Sequence, residues 1–107
     1  RVDATPLKLE ELRYTDWPDD LAQVTYLDHY GNAMTGIRAA SMGDDDTLDL
    51  AGQALSKATV FSSVPVGQPF WYENSVGMVE IAVNRGRADH DLGLAVGHAV
   101  PIIRAAG

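Results

Sequence analysis

Residues 69–86 read PFWYENSVGMVEIAVNRG, and that stretch limits the fold more than any other. Phe70 and Tyr72 alternate against Trp71, residues 74–77 (NSVG) turn the chain, and Met78, Val79, Ile81 and Val83 return. Aromatic and β-branched residues suit a pleated, half-buried surface, so two arms of them around a short polar turn predict an antiparallel hairpin.

Other short runs surround it, separated by turn residues at the spacing of an all-β domain. LAQVTYLD (21–28) predicts a strand with Val24 and Tyr26 on one face, and AMTGIRAA (33–40) a returning partner. TLDLAG (47–52) and QALSKATVF (53–61) follow. Residues 51–58 are Ala-rich enough for a helix on propensity alone, yet the runs are short and Gly52 interrupts them, which favours strand. SSVPVGQ (62–68) is a Pro/Gly turn, RADHDLGLAVG (87–97) a polar excursion, and HAVPIIRA (98–105) a closing strand with Pro101 at an edge or bulge. The expected class is mainly β, a small antiparallel β-barrel over 21–107. Residues 1–20 read as a linker or irregular edge in which Leu7, Leu9 and Leu12 cover a neighbouring surface. The start at Arg1 suits a piece of a longer protein.

Composition excludes several classes. With 107 residues, 46% apolar and 21% charged, the chain suits one globular domain. No apolar run approaches the roughly 20 residues of a membrane span. The net charge of −7 opposes a nucleic-acid partner. Cysteine is absent, so disulfides and thiolate metal sites are excluded, which suits a reducing, cytoplasmic setting. The acidic runs DWPDD (16–20) and GDDDTLD (43–49) read as solvated loops, since the second lacks the ligand alternation of a calcium loop. NRGRAD (84–89) reads as a surface ion-pair cluster.

His29, His90 and His98 do not form a metal-ligand pattern, and Ser75 lies in no nucleophile elbow. The corner DHYGNAMTG (28–36) stands apart, because a turn needs only Asn or Gly and this one carries an acid, an imidazole, a phenol and a carboxamide. Asn32 has two readings. It is a residue that tolerates a left-handed turn, or its donor and acceptor face a pocket and match adenine's amino group and ring nitrogen, with Tyr30, Phe61, Trp71 or Tyr72 as a flat wall.

Three segments in order carry a resemblance. YLDHYGNAMTGI (26–37) resembles the D-x-F-G-N-x-x-T-N-I segment of the S-adenosylmethionine (SAM) hydroxide adenosyltransferases, or SAM hydrolases, a family that also includes fluorinating and chlorinating enzymes. TVFSSVPVGQP (59–69) is similar to that family's T-Y/F-x-x-V-x-x-G link. Residues 70–100 are similar to its later block, in which N-S-x-G leads into L-E-I-A-V-N and then L-G-L-x-x-G.

The resemblance implies the C-terminal barrel of an enzyme whose larger N-terminal α/β domain is not in this chain, with the ligand between domains of neighbouring subunits in a homotrimer. It implies that Asn32 reads the adenine edge and Phe61 covers the base. Tyr30 and the stretch from Val83 to Arg85 line the nucleoside, and Ser75 and Val76 meet the methionine end. SAM is the implied substrate, with no cofactor, metal, nucleic acid or membrane. The groups that activate water sit in the N-terminal domain, so none of the three histidines is catalytic. Tyr30 replaces the usual Phe and Gly36 the second Asn of T-N-I. Val76 stands where halogenating members carry Arg, which favours water as nucleophile. The alternative is a non-catalytic β-barrel interaction module with Trp17 and Trp71 exposed for docking; an oligonucleotide-binding barrel is opposed by the acidic charge.

Overall fold

Tyr72 lies directly across from Glu80, and Trp71 from Ile81, in the hairpin at the centre of the fold. The computed structural model describes residues 20–105, apart from the side chain of Phe61. Within them the strands are β1 (Leu21–Leu27), β2 (Ala33–Arg38), β3 (Thr47–Leu50), β4 (Gln53–Leu55), β5 (Pro69–Glu73), β6 (Met78–Val83) and β7 (Ile102–Ile103). One short helix, α1 (Ala88–Asp91), and 3-10 turns at Ala39–Ser41 and Phe61–Ser63 join them. No helix among the described residues is long and apolar enough to cross a membrane. The expected linker, with its leucines and Trp17, falls on residues 1–19 and lies outside the described residues.

The fold is mainly β, with two antiparallel sheets ordered β1-β2-β6-β5 and β4-β3-β7. The expected barrel is met in part. The sheets touch at both edges, but through single bridges, Gln23 with Ala99 and Lys57 with Trp71, rather than continuous ladders. Each bridge is held by main-chain hydrogen bonds: Val24 N–H to His98 O, Val100 N–H to Ala22 O, Ala58 N–H to Trp71 O and Trp71 N–H to Ser56 O.

Alternation decides which side chains enter the space between the sheets. On β5 and β6 these are Trp71, Val79, Ile81 and Val83, packed with Val24, Ile37, Leu48, Leu50, Leu55 and Val100. Trp71 is fully buried and its indole N–H donates to Asp46 O at 3.1 Å. The other face of the same hairpin carries Phe70 and Ala82, buried with Ala58 beneath Val64 and Tyr72. β6 is therefore covered on both faces, which explains its almost uninterrupted apolar run.

Several expectations are corrected. Val24 and Tyr26 do not share a face, because β1 shifts register between them; Val24 is fully buried and Tyr26 is 58% exposed. A bulge inserts one residue and reverses the side-chain phase beyond it. The run 33–40 stops as strand at Arg38, where the 3-10 turn begins. The run 53–61 is strand only over Gln53–Leu55, and 98–105 only over Ile102–Ile103. Pro101 lacks a donor but its carbonyl accepts from Asp49 N–H, so it fits just ahead of the strand. The polar excursion contains α1. The loop at 43–46 is only partly solvated: Asp44 and Asp45 are exposed, whereas Asp46 is buried and accepts from Gly43 N–H, Ala105 N–H and the Arg104 guanidinium.

Candidate functional site

Asp28 builds the corner between β1 and β2. Its Oδ1 accepts from Tyr30 N–H and Asn32 N–H, both at 2.9 Å, while its own main chain bonds Asn32 O and Gly31 N–H. An Asp side chain that mimics a turn in this way ties the loop to itself. Gly31 has φ +85°, and a Cβ there would fall 2.7 Å from Asp89 Oδ1 and 2.8 Å from Arg87 Cβ, so only glycine fits. Tyr30 projects from the tip, 74% exposed, with its ring edge-on to that of His29.

Asn32 leaves the corner half-buried, and its carboxamide bonds no described residue. Ala33 pairs with Ile81 and Met34 with Glu80, so the same register brings Asn32 alongside Ala82, which pairs with Phe70 on β5. Continued one residue beyond β2, strand alternation from the buried Ala33 assigns the Asn32 side chain to the outer sheet face, in one row with Ala82 and Phe70. The next row is Met34, Glu80 and Tyr72. Glu80, only 8% exposed, accepts from Tyr72 O–H at 2.7 Å and Asn74 Nδ2 at 2.9 Å. Burial, the hydrogen bond to Glu80 and the nearby Glu80 and Asp28 charges hold the Tyr72 hydroxyl far above its ordinary pKa, so it stays a donor.

Two hollows open on this side. One of about 290 Å³ is bordered by Ser56, Lys57, Thr59, Ser63, Val64 and Phe70, flanking the turn that carries Phe61. The other, about 220 Å³, runs past Lys57, Thr59, Tyr72 and Glu73. Neither is lined by Asn32, Ser75 or Arg85.

Placement of the predicted residues divides in two. Tyr30, Asn32, Val83 and Arg85 lie toward one end of the sheet. Val83 is packed in the core, leaving only its main chain for a ligand, and its carbonyl accepts from Gly86 N–H. Arg85 is exposed at φ +60°, with no guanidinium partner among the described residues. Ser75 and Val76, both exposed, occupy the turn at the opposite end of β6. At strand rise that is roughly 20 Å away, so only an elongated ligand lying along the sheet could meet both groups. The side chain of Phe61 lies outside the described residues.

The family model described as the SAM hydroxide adenosyltransferase C-terminal domain matches residues 22–101. The chain belongs to that family. An (R)-S-adenosyl-L-methionine hydrolase of Thermus thermophilus is 35% identical over 92 residues, which are 86% of this chain and 34% of that protein. A crystal structure of a conserved hypothetical protein from the same organism aligns with TM-score 0.65 and 32% identity, covering 81% of this chain and 35% of that one. An uncharacterized conserved protein from Thermotoga maritima gives TM-score 0.66 at 28% identity, over 76% and 35%. The chain spans about a third of the length of these relatives.

Within this SAM hydroxide adenosyltransferase domain, Gly36 lies tight against β1: a Cβ there would fall 2.6 Å from Leu21 Cβ and 2.7 Å from Leu21 O, which leaves no room for a side chain. Two features of the site went unread in the sequence. Glu80 interrupts the apolar run MVEIAV in mid-strand, a signal of a paired buried carboxylate. The Arg87–Asp89 pair matches the expected ion-pair cluster, but it also holds the Asp28 corner, with Arg87 Nη1 donating to His29 O.

Proposed function

We propose that this domain is the adenosyl-binding part of an enzyme that hydrolyses SAM to adenosine and methionine. The observation that carries the reading is the carboxamide of Asn32, unengaged by described residues and held on the outer sheet face of a SAM hydroxide adenosyltransferase domain. A carboxamide offers a donor and an acceptor side by side, the pattern an adenine edge requires. The sheet pair, joined at both edges, supports a barrel-like platform for that residue. In this reading Tyr30 and Arg85 flank the nucleoside at the same end, Phe61 covers the base, and Ser75 and Val76 meet the amino-acid end.

The reaction is a displacement. A water oxygen bonds to ribose C5′, the C5′–sulfur bond breaks, and sulfur keeps the electron pair as the methionine thioether. The water proton passes to a base in an N-terminal α/β domain. The sulfonium already leaves readily, so the protein's contribution is to position substrate and to strip water from the nucleophile. This domain supplies the nucleoside half of that positioning, in a homotrimer whose neighbouring subunit closes the site. Val76 in place of an arginine supports water rather than halide as nucleophile. The interaction-module alternative loses one of its two docking residues, since Trp71 is fully buried.

Calorimetric titration of the full-length protein with adenosine tests the reading. Asn32→Ala should weaken binding by about 1–3 kcal/mol, the cost of an unpaired polar edge in a buried contact. Unchanged affinity would remove the nucleoside site.

A further inference from the structure

The peptide unit joining Gly31 to Asn32 is held at both ends. Its N–H, that of Asn32, donates to Asp28 Oδ1 at 2.9 Å, and its oxygen, that of Gly31, accepts from Asp89 N–H at 3.0 Å. Two residues earlier, His29 O accepts from Arg87 Nη1 at 3.2 Å across 58 positions of sequence. Arg87 in turn grips Asp89 with two parallel bonds, Nε to Oδ1 at 3.1 Å and Nη2 to Oδ2 at 2.9 Å. The pair presses against Gly31 so closely that a Cβ has no space there.

We propose that Arg87 and Asp89 are positioning residues that set the orientation of the Asn32 carboxamide and thereby the preference for a 6-amino over a 6-oxo purine. The inference rests on the nucleoside reading of Asn32. A planar, two-pronged guanidinium–carboxylate pair fixes direction as well as distance, which a lone charge does not. A specificity group holds its discrimination only while its support keeps it within a fraction of an ångström. Removing the guanidinium frees His29 O and the Asp89 carboxylate, so the Asp89 N–H that holds the Gly31 oxygen loses its own support while Asp28 still holds the other end. Asp89 is the less exposed partner, its side chain 13% accessible against 42% for Arg87. Arg87→Met therefore loosens the clamp from the solvent side while keeping the aliphatic stem.

The test compares adenosine with inosine by calorimetry on the full-length protein, well below each variant's melting temperature. Asn32→Ala should erase the preference for adenosine. Arg87→Met should narrow it on the order of tenfold, and should change nothing further when added to Asn32→Ala. Arg87→Lys, which keeps the charge without the two-pronged bond, should fall between and serves if the Met variant does not fold. Asp46→Asn, a destabilising change remote from the corner, should leave the preference intact. A full adenosine preference in the Arg87 variants beside a lost one in Asn32→Ala overturns the positioning role alone. A preference retained in Asn32→Ala overturns the nucleoside reading, and the inference with it.

Discussion

Tyr72 donates its hydroxyl to Glu80 at 2.7 Å from the position directly opposite on the neighbouring strand. The pair turns a buried carboxylate, which alone would oppose folding, into a satisfied acceptor on the outer sheet face. Tyr72→Phe should therefore cost about 1–2 kcal/mol, because Glu80 loses a charge-assisted bond while staying buried. Urea unfolding followed by circular dichroism measures it. An unmoved midpoint would mean that the bond contributes nothing net.

Asp46 predicts an acid-sensitive stability. The N–H groups of Ala105 and Gly43 and the Arg104 guanidinium hold its carboxyl at a pKa of about 2, below the ordinary 3.8. A folded-state pKa lower than the unfolded one adds stability that is complete above about pH 4 and disappears as pH falls toward 2. Asp46→Asn should be less stable than the parent at neutral pH, and the gap should close through that window. Melting temperatures across pH 2–6 show it, and a constant gap would reject the assignment.

Gly36 faces Leu21 with no room for a side chain, so Gly36→Ala should lose about 1–3 kcal/mol through overpacking. Leu21→Ala should not rescue it. The Leu21 carbonyl, 2.7 Å from where that Cβ would sit, stays in place. Chemical denaturation of the two single variants and the double variant decides the matter.

Trp71 joins the two sheets. It is fully buried, its main chain bridges to Lys57, and its indole N–H reaches Asp46 O in the loop before β3. Trp71→Ala should cost about 3–5 kcal/mol from the cavity. Trp71→Phe should cost about 1–3 kcal/mol, since it keeps a ring but strands the carbonyl. No loss in Trp71→Phe would show that the hydrogen bond is irrelevant, and equal losses in the two variants that the ring's packing is.

The hairpin of Pro69–Glu73 and Met78–Val83 is legible because strong strand formers flank a turn on a local signal that needs no distant partner. The corner at Asp28 is legible as unusual for the same reason, since its bonds run two and four residues along the chain. The period of two misplaces Tyr26 because a bulge reverses it. Composition misplaces Asp46 because two of its three partners, Arg104 and Ala105, lie 58 and 59 residues away.

By itself, then, the order of residues determined an antiparallel β domain, its principal hairpin, and a polar corner too rich for a plain turn. Those features rest on side-chain period and turn chemistry, which act over a few residues. The tertiary structure alone decided that Glu80 is buried against Tyr72, that Gly36 lies beneath Leu21, and that Arg87 and Asp89 grip the corner carrying Asn32. Such contacts exist only once loop closure has brought distant segments together, and no local pattern encodes which ends will meet.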